Sequence, residues 1–391
     1  MVRKHELPDQ TPVDAIDRLR LARTEGVGPV AYRRLLARYG SAAEALAALP
    51  GLVRAGGRPT PPALPSADDA TRELHGLGRL GARMIFAGEP DYPPLLALLD
   101  DAPAAIAVLG DPALPVARAV AVVGGRNASA NGQRMAESLA ADLAHSLTVV
   151  SGLARGIDAA AHVGALQTGR TIAVVAGGLD VPYPPEHADL QRRIAESGTV
   201  LTEAPLGTAP QARHFPRRNR IIAGLALGVV VVEAALRSGS LITARIAQDA
   251  GRELFAVPGS PLDPRSRGAN DLIRQGAHLT ETAQDVLDNL PDHPSRDGLA
   301  RDPLFVRGPP SGLAEPPPAW QEPAESVADL ARARRQVVDL LGTSPTAVDD
   351  VVRRCQFSAA AVMAVLLELE LAGRIETLSG GRVALLQETG I

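Results

Sequence analysis

The sequence predicts a doubly wound, Rossmann-like α/β domain at its centre, with a helical module before it and a winged-helix-like module after it. Three observations carry that prediction. Between about residues 118 and 290, six short apolar runs alternate with helical patterns: AVAVVG, TVVSG, TIAVVAGG, TVLTE, VVVVEA and ELFAVPG. Each run is nearly continuously apolar, as strands buried on both faces of a parallel sheet must be, and intervening helices make right-handed crossovers the natural connection. At 391 residues the chain also exceeds what one ordinary core fills, so two or three domains are expected. Finally, a Pro-rich stretch without periodicity, residues 291–327, separates the sheet domain from a C-terminal module.

In chain order, residues 1–88 are Ala/Leu-rich and helical in pattern. Within EGVGPVAYRRLLARYGSAAEAL the hairpin Gly26-Val27-Gly28 lies between two helical runs, resembling a helix-hairpin-helix or SAM-like bundle. Hairpin N–H groups of that kind can hold a DNA phosphate, but a lone G-V-G favours a purely structural role. GGRPTPPALP (56–65) is a loop. Residues 89–117 read as a connecting segment, and 118–290 are the Rossmann-like domain. Trp320 falls in the Pro-rich linker, as a mobile or docking residue rather than a catalytic one. Residues 328–391 give three helices, ARARRQVVDLLG, TAVDDVVRRC and SAAAVMAVLLELELAG, then a hairpin, RIETLSGGRVAL, turning at Gly380-Gly381. That order resembles a winged helix. Its third helix carries Glu368 and Glu370 and little base-reading chemistry, so protein docking or modest DNA affinity is expected of it.

Composition excludes several classes. A net charge of −4 shows no global attraction to nucleic acid, so any such function rests on a local patch. The single cysteine, Cys355, excludes a disulfide framework and thiolate zinc sites, and on an apolar helical face it reads as a buried structural thiol. Lys4 is the only lysine, which removes a Walker-A loop and Schiff-base chemistry. Anion recognition therefore falls to arginine and backbone N–H groups. No metal or cofactor site is expected. The N-terminal MVRKHELPDQTPVD has no apolar signal core and no run reaches membrane-spanning length, so a cytoplasmic protein without membrane contact is expected.

The local patch is present. No carboxylate lies between Glu203 and Glu233, a stretch that carries Arg213, Arg217, Arg218 and Arg220. Another carboxylate-free stretch, from Asp111 to Glu137, carries Arg118, Arg126 and Arg134. The strands carry their turn chemistry at their C-terminal ends, which a parallel sheet brings to one edge: Gly124-Gly125-Arg126, Ser151-Gly152 with Arg155, Gly177-Gly178, Ser238-Gly239-Ser240 beyond Glu233, and Pro258-Gly259-Ser260. Glycine turns before helix starts present free N–H groups to anions. The first turn lacks G-x-G-x-x-G and no acid closes the second strand, so a dinucleotide site is excluded and a groove tracking a nucleic-acid backbone is expected. Phe215, one of few aromatics, either stacks on an unpaired base or staples the helix RRNRIIAGLA; Asn219 caps or braces that helix. Asp158 and His162, one helical turn apart, read as bracing for the glycine turn or as an acid/base pair without a third member.

VAVVGGR, VVSGLARGIDAAAH, AVVAGGLDVPYPPEH, FPRRNRIIAGLALGVVVVEA, SGSLITA, FAVPG and NDLIRQGA resemble, in order, the successive motifs of the DNA-processing protein A family (DprA, also called Smf). The match is dense over about 90–290. It implies a single-stranded-DNA-binding protein of natural transformation and recombination that protects incoming strands and loads the RecA recombinase onto them. It further implies a homodimer through the Rossmann-like domain, no cofactor and no catalysed reaction. By position, Arg126 matches the arginine of the family's Gly-Ser-Arg turn, and Phe215 to Arg220 match its F-P-x-R-N-R segment. Gly125 replaces the usual serine, no lysine is available near Phe215, so Arg213 or Arg217 substitutes, and Ile106-Ala107 stand where an aromatic is common. The alternative is a nucleotide-processing enzyme on the same fold, resembling phosphoribohydrolases with a P-G-G-x-G-T-x-x-E signature. The stretch from Glu233 through Ser238-Gly239-Ser240 keeps the glycine turn but has alanine where the second glutamate belongs.

Overall fold

The computed structural model describes residues 13–291, 327–378 and 380–386; the Pro-rich linker, with Trp320, lies outside the described residues. Among these, the sheet and its helices form one compact unit from Thr71 onward, and the helices up to Ala70 pack with the C-terminal module as a second.

In order, the first elements are α1 (Val13–Arg23), α2 (Pro29–Tyr39), α3 (Ala42–Ala55) and α4 (Ala67–Arg79). The sheet domain continues with β1 (Ala82–Phe86), α5 (Pro94–Ala97), β2 (Ala105–Gly110), β3 (Ala119–Val123), α6 (Ala130–Leu143), β4 (Thr148–Ser151), α7 (Ile157–Ala165) and β5 (Thr171–Val174). It closes with α8 (Ala188–Ser197), β6 (Thr199–Thr202), α9 (His214–Leu225), β7 (Gly228–Val231), α10 (Gly239–Asp249), β8 (Glu253–Ala256), α11 (Arg267–Arg274), β9 (His278–Leu279) and α12 (Ala283–Leu287).

The sheet runs β1-β2-β6-β5-β4-β3-β7-β8-β9. From β6 to β9 every neighbouring pair is parallel. The six apolar runs are β3 to β8, and their alternating residues feed two cores. Ala121, Val123, Val150, Ile172, Val229 and Val231 face one helical layer, which includes Ile221 and Ile222 of α9. Val120, Val122, Val149 and Val230 face the other, with Leu139 and Leu143 of α6. Burial on both faces is why these strands read as continuous apolar runs.

Two strands lie before the first one that the sequence pattern predicts. β2 pairs antiparallel with β6, and β1 antiparallel with β2. ARMIF is short and interrupted by an arginine, and AIAVLG comes after an irregular Pro/Asp-rich stretch, so neither carries a period that distinguishes it from a connector. Part of the segment 89–117 is thus sheet. β9, two residues long, is too short to leave a sequence signature.

In the second unit α1, α2 and α3 bury Leu19, Leu21, Tyr32, Leu35, Leu49 and Val53 completely. The hairpin between α1 and α2 turns at Gly26 (φ +81°), and Pro29 opens α2. The C-terminal module is α13 (Val327–Leu340), β10 (Thr346–Ala347), α14 (Val348–Arg354), α15 (Ala359–Leu371), β11 (Ile375–Leu378) and β12 (Arg382–Leu385). Its strands form the sheet β10-β12-β11, the wing of a winged helix. Cys355 is buried beside Gln336, at 3.4 Å from its side-chain oxygen, as a structural thiol.

Candidate nucleic-acid interface

Because β3, β4, β5, β7 and β8 are parallel, the turns after them share one edge. Sheet order reverses at β3, whose neighbours are β4 on one side and β7 on the other, and an open α/β sheet forms its ligand crevice at such a point. A depression there is lined by Arg126 after β3, Gly152 and Arg155 after β4, Tyr183, and Phe215 and Arg218 of α9.

Its wall is a stack. The Arg126 guanidinium lies 4.9 Å from the centroid of the Phe215 ring, and the Tyr183 ring lies 5.7 Å from Phe215 at an interplanar angle of 54°. Phe215 is half-buried and Tyr183 is 42% exposed. Arg126 is exposed and has no ion pair among the described residues. The same holds for Arg213 and Arg217, at the N-terminal turn of α9, where a helix favours anions. His214 between them is held below its ordinary pKa by burial and by the Arg213 and Arg217 charges. Arg155, also exposed, reaches Glu186 at 3.6 Å.

The floor is Arg218. It is 6% exposed and donates to the Val174 carbonyl at 3.2 Å. Its guanidinium passes directly over Gly152, where any Cβ would overlap it, so glycine is required at the end of β4. Burial lowers the Arg218 pKa, against the opposing pull of the Asp158 carboxylate. Asp158 accepts from the Ala154 N–H at 3.4 Å, and burial raises its pKa against the Arg218 charge. His162 is fully buried with Nδ1 2.7 Å from Thr171 Oγ1. Burial, with Arg218 and His187 nearby, pushes its pKa down to about 3. Asp158 thus braces the turn that seats Arg218, and a neutral, sealed His162 leaves no acid/base pair facing the crevice.

Other residues expected in the site are spent on the scaffold. Ser151 is fully buried and its hydroxyl donates to the Val122 carbonyl at 2.6 Å, so it cannot reach a ligand. Arg220 is buried, ion-paired to Glu203 at 2.6 Å and bonded to Asp101. The carboxylate-free reading of that stretch fails here because Glu203 and Asp101 return through the fold. Asn219 reaches the Gly239 carbonyl at 3.5 Å and braces the Ser-Gly-Ser turn. Within that turn, Ser238 accepts from the Ser240 N–H at 3.4 Å and its hydroxyl lies 2.7 Å from that of Ser240, which is buried. Gly125 donates to the Glu233 carbonyl at 2.5 Å, tying the Gly124-Gly125 turn to the end of β7. Glu233 accepts from the Ser129 N–H at 2.9 Å and its hydroxyl at 2.6 Å, holding the residue that caps α6. Crevice residues from the sequence are therefore Arg126, Gly152, Arg155, Phe215 and Arg218, with Arg213 and Arg217 at the adjacent helix start. Tyr183 was not singled out from the sequence, although it lies within the motif AVVAGGLDVPYPPEH and is an aromatic in a chain that is 3% aromatic.

The model of the DNA recombination-mediator protein A family matches residues 83–291, and the chain is 41% identical over 312 residues to Protein Smf of Escherichia coli (strain K12), covering 77% of each. The chain belongs to the DprA/Smf family. The DprA-like N-terminal HHH domain matches residues 12–76 and the DprA winged helix domain residues 321–381. DNA processing protein DprA of Streptococcus pneumoniae (strain ATCC BAA-255 / R6) is 49% identical over 197 residues, covering 50% of this chain and 70% of that one. The X-ray structure of DprA from Streptococcus pneumoniae superposes with a TM-score of 0.60 at 37% identity, covering 71% of this chain and 98% of that chain. The DprA/Smf fold thus extends over the sheet domain and the crevice described above.

Proposed function

We propose that the crevice over β3, β4 and β5 binds single-stranded DNA. The observation that carries this reading is the Arg126–Phe215–Tyr183 stack, flanked by the unpaired Arg213 and Arg217. A ring beside guanidiniums offers one surface to an unpaired base and another to its phosphates, and a stacked duplex base presents no face to such a ring. Family membership supports the same reading, because the relative from Streptococcus pneumoniae is named a DNA processing protein. It also supports two further parts: that bound strands are passed to the RecA recombinase, and that the chain works as a homodimer through its sheet domain. No described helix is long and apolar enough to cross a membrane.

Binding rather than catalysis is supported by where the titratable groups are used. Asp158 and His162 are sealed beneath the turn, and Glu233 is bonded to Ser129, the cap of α6. The test is an anisotropy titration with an oligothymidine and with a duplex of equal length, at two salt concentrations, alongside incubation with AMP and analysis for free adenine. Tighter binding of the single strand, with no adenine released, is expected. Equal or tighter duplex binding, or adenine release at an enzymatic rate, overturns the reading.

A further inference from the structure

The third helix of a winged helix reads duplex DNA when it offers a polar, basic face to a major groove. α15 offers nothing of the kind. Val362, Val365, Leu366 and Leu369 form one face, inside the winged-helix core. The opposite face is buried as well: Leu367 and Leu371 are each 2% exposed, although neither belongs to that core. A helix that is apolar all round is covered on both sides. The second cover is the N-terminal module, since α15 packs against α2 and α3.

Three details fix that contact. Gly56, which ends α3, has an ordinary helical backbone (φ −69°) that any residue adopts. A Cβ there would overlap the Glu368 carbonyl oxygen and lie 2.7 Å from the Ala372 Cβ, so only the closeness of α15 demands glycine. Gly26, in the hairpin, faces the Leu371 carbonyl, 3.5 Å from where its Cβ would lie. Arg34 of α2 pairs with Glu370 at 3.6 Å. The other charge on α15, Glu368, pairs with Arg334 of α13 at 2.5 Å. The helix therefore carries two carboxylates, both paired with arginines, and no cation to meet a phosphate.

We propose that the winged helix is a protein-docking module whose partner is this chain's own N-terminal helical module, with α15 as the shared strut, and that it does not read duplex DNA through that helix. The inference stands independently of strand binding at the crevice, because it rests on the other compact unit.

The test uses the full chain with a protease site placed in the Pro-rich segment 291–327, cut after folding and passed over a sizing column. The C-terminal fragment is expected to stay with the rest of the chain. Gly56→Leu is expected to release it, weakening retention by roughly 5- to 150-fold, the range for overpacking a close contact. Gly51→Leu, on α3 with nothing within 4 Å of its Cβ position, is the control and retains the fragment. Duplex affinity of the uncut Gly56→Leu chain is expected to match the parent. Separation of the parent fragments on cutting, equal retention by the two glycine variants, or a tenfold rise in duplex affinity on Gly56→Leu would each overturn the proposal.

Discussion

Replacing Phe215 by alanine separates stacking from charge in the crevice. The ring sits between the Arg126 guanidinium, 4.9 Å from its centroid, and the Tyr183 ring at 5.7 Å. Removing it leaves every arginine in place and deletes the central face on which a base would stack. Base–aromatic stacking is worth about 1–3 kcal/mol by alanine substitution, which corresponds to a rise in Kd of roughly 5- to 150-fold. Stacking releases no counterions, so the slope of log K against log salt is expected to stay that of the parent. Arg126→Ala has the opposite signature: losing one phosphate contact reduces the single-strand slope by about 0.7. Its defect relative to the parent therefore shrinks by about 2.6-fold between 50 and 200 mM salt, from that same slope. Anisotropy titrations of a labelled oligothymidine across that range measure both quantities. Parental affinity in Phe215→Ala, or a salt slope altered in Phe215→Ala but not in Arg126→Ala, refutes this division of labour.

Two other substitutions probe the scaffold. Arg220→Ala, which removes the buried guanidinium that pairs with Glu203 and Asp101, is expected to cost about 3 kcal/mol in urea unfolding, the lower end for a broken buried pair because Glu203 keeps some solvent contact; single-strand affinity of the folded fraction should match the parent, and a binding loss at unchanged stability would return Arg220 to the interface. His162 is held neutral with a pKa of about 3, below its ordinary 6.5, so the unfolded chain binds more protons between those values. It therefore costs stability as pH falls from 6.5, by about 1.4 kcal/mol per pH unit. His162→Gln should flatten the stability–pH profile over pH 4–6 by that slope, and an unchanged profile contradicts a neutral buried imidazole.

How much of the fold and of the crevice is legible in the sequence depends on locality. The strands β3 to β8 are readable because burial on both faces leaves an uninterrupted apolar run, and their parallel order places Arg126, Gly152 and Phe215 on one edge. The arginines are harder. Arg217 and Arg218 are neighbours in sequence, yet one is exposed and the other lies under Gly152, because successive residues on a helix point about 100° apart. Arg220 looked unneutralised because its partners, Glu203 and Asp101, come from distant segments. Ser151 looked like a donor at a strand end, but its strand is central and its side chain points into the sheet's interior. Tyr183 joins Phe215 only through tertiary structure. Likewise the apolar, carboxylate-bearing third helix was visible in the sequence, while the module that covers it, far earlier in the chain, was not.

The central claim is that a single strand lies across the Arg126–Phe215–Tyr183 wall. Photo-cross-linking with an oligothymidine carrying 5-iodouracil, with peptide mapping of the adducts, tests it most directly, since that base couples to aromatic rings it stacks on. Adducts on Phe215 or Tyr183, lost when the labelled strand is competed by unlabelled single strand but not by duplex, are expected. Adducts confined to residues 327–386, with none on the peptides carrying Tyr183 or Phe215, would contradict it.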